Sequence, residues 1–158
     1  MVIANDFHWA FFSAFIISRL VVYLNFAPLN FKSKILSQKA GNLRANPIFY
    51  KNLAPGGNDS YVGMVEDGDV GSYNRANRSL HHFVENASAL VAGFALSAFV
   101  FPIATFILVL IYAIGRIIHQ YGYSYGYGNH GIGFVLGMFS GIVIDGLNFL
   151  VAIKGFGA

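Results

Sequence analysis

Cysteine is missing from this chain altogether. Disulfide frameworks, thiolate metal sites and a cysteine nucleophile are therefore excluded. Charge is scarce as well: Asp, Glu, Lys and Arg make up 11% of the residues, against about 25% in ordinary soluble domains. What positive charge there is gives a formal total of only +3. It is interleaved with Asp59, Glu66, Asp67 and Asp69, a pattern that does not build the basic stripe a nucleic acid needs. A basic leading region is absent from the N-terminus, and Arg19 interrupts the first apolar stretch, so that stretch is not expected to be a cleavable signal.

In place of charge the chain has apolar length. Hydrophobic residues make up 56% of it and the mean hydropathy is +0.56. Four stretches carry the excess, at about 7–27, 79–101, 103–123 and 131–153. A bilayer core of about 30 Å needs ~20 helical residues at 1.5 Å rise, and each stretch is that long. A soluble bundle would need polar faces toward water, and only short parts of these stretches offer them. The expectation is an all-α membrane protein, a four-transmembrane-helix bundle in which 1–158 form a single domain.

Seven of the ten Lys and Arg residues fall between Lys32 and Arg78. The positive-inside rule puts the connection at about 28–73 on the cytoplasmic side. Both termini and the turn between stretches two and three then face the other side. The connection carries the turn chemistry of PLNFKSK, AGNLRANP and APGGND, which predicts an ordered loop, with a short helical extension of the first helix around 31–40. Pro102 predicts a tight hairpin between the second and third helices. The run GYSYGYGNHG at 122–131 reads as a loop with interfacial tyrosines. Gly133, Gly137 and Gly141, four residues apart, make a strip along which another helix can approach, within one subunit or between subunits.

The chemistry lies where an apolar stretch begins, in NRANRSLHHFVEN at 74–86. Arg78, His82 and Glu85 are spaced i, i+4, i+7 and share a helical face, with Arg75 one turn before. Arg116, His119 and Tyr123 share a face of the third helix. The second helix enters the membrane from the cytoplasmic side and the third returns to it, so both polar stripes lie at one depth. A charge inside lipid costs about 2.5–3.5 kcal/mol even on the lenient insertion scale. Several charges at one level are best explained by one shared polar cavity. A structural ion-pair network is the plain alternative. Against it, Arg75, Arg78 and Arg116 face one carboxylate, Glu85, which leaves cationic groups for a small anionic ligand with several charges. Glutathione has that pattern. Adjacent His81 and His82 point about 100° apart and cannot share one ion. A metal site of His82, Glu85 and His119 is disfavoured by the arginines beside it, so no metal is expected. His8 and His81 read as interfacial or packing residues. Arg19 and Asp145, both mid-helix, are expected to pair with each other.

These stretches resemble the MAPEG family, the membrane-associated proteins of eicosanoid and glutathione metabolism, and its microsomal glutathione transferases. RANP at 44–47 is similar to the family's F-A-N-P. RANRSLHHFVEN at 75–86 is similar to R-x-x-R-A-x-x-N-x-x-E-N. GRIIHQYGY at 115–123 is similar to G-R-x-x-[HY]-x-x-x-Y. The resemblance implies glutathione contacts at Arg78, Glu85, Arg116, His119 and Tyr123, with Arg75 and His82 close by. It implies a homotrimer in an intracellular membrane such as the endoplasmic reticulum. The activity it implies is conjugation of glutathione to lipophilic electrophiles, or reduction of lipid hydroperoxides. Two departures stand out. His82 occupies the signature asparagine position. No arginine or lysine follows Tyr123 in SYGYGNHG, where many relatives carry a thiolate-stabilising arginine; His130 is the one residue near that place, and with Tyr123 it is the catalytic candidate. That departure motivates a second reading, a non-catalytic relative that holds lipid or a partner protein. The intramembrane arginines alone also fit a small anion channel.

Overall fold

Apolar length alone accounts for four helices but not for where two of them begin and end. The computed structural model describes residues 6–36, 45–53, 56 and 61–157. In chain order it contains α1 (His8–Leu36), β1 (Tyr50–Leu53), β2 (Tyr61–Met64), α2 (Gly68–Val100), α3 (Pro102–Tyr125) and α4 (Gly131–Phe156). All four helices are long and apolar enough to cross a membrane.

α1 does not stop at Ala27 but runs through Pro28 to Leu36. An interior proline costs a helix about 3 kcal/mol, and the turn beyond it is held by other means. Ala27 and Phe31 pack on Tyr73 and Ala76 of α2. The Lys32 ammonium, buried, donates to the Ala45 carbonyl at 2.9 Å and to Asn46 Oδ1 at 3.0 Å. The expected extension around 31–40 is thus continuous with α1 as far as Leu36; residues 37–40 lie outside the described residues, as does Arg44 of RANP.

α2 begins at Gly68 rather than Ser79. Its first turns are polar, and the side-chain amides there donate to chain that is distant in sequence. Asn74 Nδ2 donates to the carbonyls of Phe49 (2.8 Å) and Val65 (2.9 Å), while its Oδ1 accepts from Phe49 N–H at 2.9 Å. Asn77 Nδ2 donates to the Asn46 and Pro47 carbonyls. Asn74 and Asn77 are completely buried; Asn74 is bonded at both ends of its amide, as burial of a polar group demands, while Asn77 is bonded through Nδ2 and its Oδ1 has no partner. Between these anchors β1 and β2 form an antiparallel hairpin in the register Tyr50↔Met64 to Leu53↔Tyr61. Among its described residues, the segment read as a loop is therefore a helix end, a pinned strand pair and a helix start.

The α2–α3 turn is as tight as Pro102 predicts. Phe101 closes α2 by donating to the Ser97 carbonyl at 2.7 Å, and its own carbonyl accepts from Thr105 at 2.9 Å. Pro102 sits in the first turn of α3, where a missing N–H costs nothing.

α1, α2 and α3 pack on one another, while α4 packs mainly on α3 and more sparingly on α2. The core joins Leu20, Leu24, Leu80, Phe83, Phe94, Leu108, Val109 and Tyr112. At the hairpin end, Phe31 meets Tyr125 with ring centroids 5.6 Å apart. At the opposite end, Trp9 meets Phe106 at 4.6 Å and Phe7 meets Phe99 at 5.4 Å. α3 and α4 touch backbone to backbone. A Cβ on Gly133 would lie 2.3 Å from the His119 nitrogen and 2.6 Å from the Gly115 oxygen. The glycine strip therefore acts first within the chain. Gly133 sets the crossing and Gly137 faces Arg116 and Tyr112, whereas a Cβ on Gly141 would meet nothing within 4 Å.

Candidate functional site

The close α3–α4 crossing decides what the polar edge of α3 can face. With α4 drawn in by Gly133, Arg116, His119 and Tyr123 are left looking across to α2. There Ser79 forms the hinge of the arrangement. Its Oγ is 3.0 Å from His119 Nδ1, and its carbonyl accepts from Arg116 Nη2 at 3.1 Å. The same guanidinium reaches His82 Nδ1 at a long 3.5 Å. Arginine can only donate, so in that contact His82 accepts on Nδ1 and carries its proton on Nε2. The Arg116 guanidinium also lies 5.7 Å above the Phe83 ring. Arg116 is 5% exposed, and its Nε has no hydrogen-bond partner.

Rings complete the wall. His119 stacks on Tyr123 at 5.7 Å and meets His130 edge-on at 5.2 Å. Tyr123 and His130 are also 5.2 Å apart. His130 comes from the α3–α4 turn, so its arrival depends on loop closure rather than helical spacing. Nearer the surface, Arg78 Nη1 bonds Glu85 Oε1 at 2.9 Å, with both side chains about half exposed. Arg78, Ser79, His82, His119, Tyr123, His130 and Phe134 line a cavity of about 200 Å³. His82 and Phe134 pass it on to a deeper one of about 150 Å³, lined also by Tyr112, Arg116, Gly137 and Met138. Together they form one furrow between α2 and α4, floored by α3.

The geometry agrees with a wider likeness. The chain matches the model of the MAPEG family over residues 8–150. It belongs to the MAPEG family. No curated protein and no solved structure matches it.

For this MAPEG chain the predicted site residues separate into two groups. Arg78, His82, Arg116, His119, Tyr123 and His130 line the furrow, with Glu85 tied to its rim through Arg78. Arg75 does not line it. Its guanidinium is turned inward and spends its donors on the Ser124 carbonyl (3.2 Å), the Glu66 carbonyl (2.6 Å) and Ser72 Oγ (3.2 Å). The Tyr127 ring covers it at 5.7 Å. Arg75 is a clamp that ties the end of α3 to the start of α2, and spacing alone could not separate that role from ligand contact. Tyr127, outside the spans, adds a second tie through its hydroxyl to Glu66 Oε1 at 3.1 Å. Burial and that bond push its pKa up to about 12, so it stays a protonated donor at any physiological pH.

Two residues that sequence reasoning passed over also build the site. Ser79 orients both His119 and Arg116, and Gln120 donates to the Ala76 carbonyl at 2.7 Å, fixing α3 against α2 one turn along. The signal for both was available: Ser79 lies three residues before His82 on α2 and Gln120 four after Arg116 on α3, each on one helical face with its partner. The expected Arg19–Asp145 pair is not made. The two lie on helices that are not packed together, and among the described residues the ion pairs are Lys51–Asp67 and Arg78–Glu85. No three His, Asp or Glu among the described residues are grouped to hold a metal ion.

Proposed function

We propose that this chain is a glutathione-dependent membrane enzyme, which conjugates glutathione to lipophilic electrophiles or reduces lipid hydroperoxides. The observation that carries the reading is Arg116. It is a buried cation with an unpartnered Nε, facing a furrow whose one rim carboxylate, Glu85, is already paired with Arg78. A guanidinium held in that way favours an anionic ligand, since a buried charge without a counter-charge costs several kcal/mol, on the order of 3–5.

A small peptide with two carboxylates and one amine suits the donor set. Arg116 and Arg78 take carboxylates, and Glu85 takes the ammonium. Bound there, the tripeptide supplies the thiol that serves as nucleophile or reductant. An ordinary thiol, with pKa about 8.5, is only a few per cent ionised at neutral pH. The Tyr123 hydroxyl is the donor placed to hold the sulfur as an anion, and Arg116 supplies the positive field. His130, against both Tyr123 and His119, is the nearest further proton carrier and lies near the place where many members of the resembled family carry an arginine. Ser79 holds the His119 ring in one orientation. The deeper part of the furrow, with Phe134 and Met138, receives the apolar co-substrate from lipid, while the polar ligand enters from the cytoplasmic side. The working form is a homotrimer in an intracellular membrane such as the endoplasmic reticulum.

Calorimetry of the detergent-purified protein with glutathione tests this directly. Wild type is expected to bind, and Arg116→Ala to weaken binding at least about 30-fold, by the 2–5 kcal/mol that truncating one side of a buried charge pair costs. Absence of binding at millimolar glutathione contradicts the reading. A second reading, a non-catalytic relative that holds lipid or a partner protein, is favoured by one observation: no Lys or Arg lies between Tyr123 and Lys154. Binding of glutathione without turnover of a chloronitrobenzene or a lipid hydroperoxide selects it; turnover removes it.

A further inference from the structure

The furrow has two parts, and one polar side chain belongs to both. His82 and Phe134 line the outer cavity and the deeper one alike; of the two, only His82 carries a group that can donate or accept a hydrogen bond. Tyr123 and His130 line the outer part and not the deeper, Tyr112 and Arg116 the deeper and not the outer. Neither the anchoring of glutathione nor the holding of its sulfur uses His82. It stands at the signature position where the resembled family has asparagine, a shorter side chain.

Neighbours set both the orientation of the ring and the place of its proton. The ring lies nearly parallel to that of His119, with centroids 6.2 Å and planes 27° apart. Arg116 Nη1 donates toward Nδ1 at 3.5 Å, which leaves the proton on Nε2. A cationic donor at Nδ1 draws electron density from the ring and strengthens Nε2–H as a donor, since bonds in a chain polarise one another. His82 is thus a neutral electrophile with a guanidinium behind it. Enzymes use a neutral imidazole in this way to polarise an oxygen.

With the sulfur held by Tyr123 in the outer part and the apolar co-substrate against Phe134 and Met138 in the deeper one, the reacting bonds lie at the junction, beside His82. We infer that His82 is a catalytic residue there: its Nε2–H bonds the atom that departs from the co-substrate and gives it a proton. Only a departing oxygen needs that help, so the co-substrates served are epoxides and hydroperoxides rather than halides. With an epoxide, the S–C bond forms as C–O breaks, the electron pair goes to oxygen, and the alkoxide takes the Nε2 proton. Water in the outer part returns a proton to the ring, matching the one the thiol released on ionising. With a hydroperoxide, sulfur takes the terminal oxygen, S–O forms as O–O breaks, and the departing alkoxide is protonated in the same way. A second glutathione then converts the sulfenic acid to disulfide and water. The inference rests on the glutathione reading above.

Two co-substrates of similar apolar bulk test it. Styrene oxide leaves an alkoxide oxygen to be protonated, whereas the chloride of benzyl chloride takes no proton. Turnover numbers for both are measured on the detergent-purified protein at saturating glutathione. Asparagine reaches only as far as imidazole Nδ1, so His82→Asn keeps an acceptor toward Arg116 and removes the donor; glutamine sets its amide nitrogen near the place of Nε2. The ratio of epoxide to chloride turnover is expected to fall about 100-fold in His82→Asn, within the range that a positioned proton donor supplies, and to recover at least tenfold in His82→Gln. Such a ratio does not depend on the folded fraction of a preparation. An unchanged ratio in His82→Asn, or one in His82→Gln no higher than in His82→Asn, overturns the inference and leaves the glutathione reading standing. Wild-type turnover of benzyl chloride alone does the same. Wild type that turns over neither co-substrate removes the enzymatic reading and the inference together.

Discussion

The two ends of the bundle are held by different forces. At the hairpin end, side-chain amides and guanidiniums bond to backbone carbonyls: Asn74 to Phe49 and Val65, Asn77 to Asn46, Arg75 to Ser124 and Glu66, Gln120 to Ala76. At the opposite end the contacts are rings, Trp9 on Phe106 and Phe7 on Phe99. Directional bonds fix the position of each group to a few tenths of an ångström, whereas ring packing tolerates sliding. The candidate furrow lies at the directional end. The proposed chemistry calls for a positioned guanidinium and phenol there, and the aromatic end holds the helices together.

The largest effect expected from breaking this contrast is Asn74→Ala. It strands the Phe49 N–H and the Val65 carbonyl, each worth about 1–3 kcal/mol if left unpaired, while the Phe49 carbonyl keeps the bond from the Val65 N–H. Water at the membrane surface recovers part, so a loss of roughly 3 kcal/mol is expected in reversible unfolding in detergent, with faster proteolysis in the hairpin. Gly133→Ala comes next. The added methyl group meets backbone, not flexible side chain, and overpacking costs about 1–3 kcal/mol. Because α4 must shift away from α3, ligand affinity is expected to fall with stability. At the aromatic end, Trp9→Leu removes the pairing with Phe106, about 1 kcal/mol, and is expected to leave ligand affinity unchanged within twofold. The smallest change in stability belongs to Arg78→Gln. Its ion pair with Glu85 is half exposed and is worth about 0–1 kcal/mol. Affinity for glutathione is nevertheless expected to drop about tenfold, a split between binding and stability that Trp9→Leu should not show. Equal losses of affinity from Trp9→Leu and Arg78→Gln would erase the contrast between the two ends.

How much was legible in the sequence follows the same division. Apolar length reported the four spans, and helical spacing reported two polar faces at one depth, since both depend on neighbours along the chain. The start of α2 was hidden because residues 68–73 read as polar loop, and the anchors that hold them in the helix, Asn74, Arg75 and Asn77, meet Phe49, Val65, Ser124 and Asn46 only in the folded chain. α1 beyond Pro28 was hidden for the same reason, its last turns being anchored by Lys32 on residues 45 and 46. Arg75 shares a stripe with Arg78, yet the end of α3 captures it. His130 was placed near Tyr123 by resemblance, and its contact with His119 required the closed α3–α4 turn. Residues whose partners are distant in sequence are the ones spacing could not assign.

The central claim is that Arg116 and the rings of His119, Tyr123 and His130 line one furrow, reached by water from the hairpin side. Phe134 touches both parts of that furrow and contributes no charge, so Phe134→Cys is a reporter in a chain with no other thiol. The decisive measurement is its rate of labelling by a membrane-impermeant maleimide in sealed vesicles of known orientation, with and without glutathione sulfonate, which has no thiol to consume the reagent. Labelling from the hairpin side, slowed at least about tenfold by the sulfonate, is the predicted result. Labelling from the opposite side, or at a rate indifferent to millimolar sulfonate, would contradict the account.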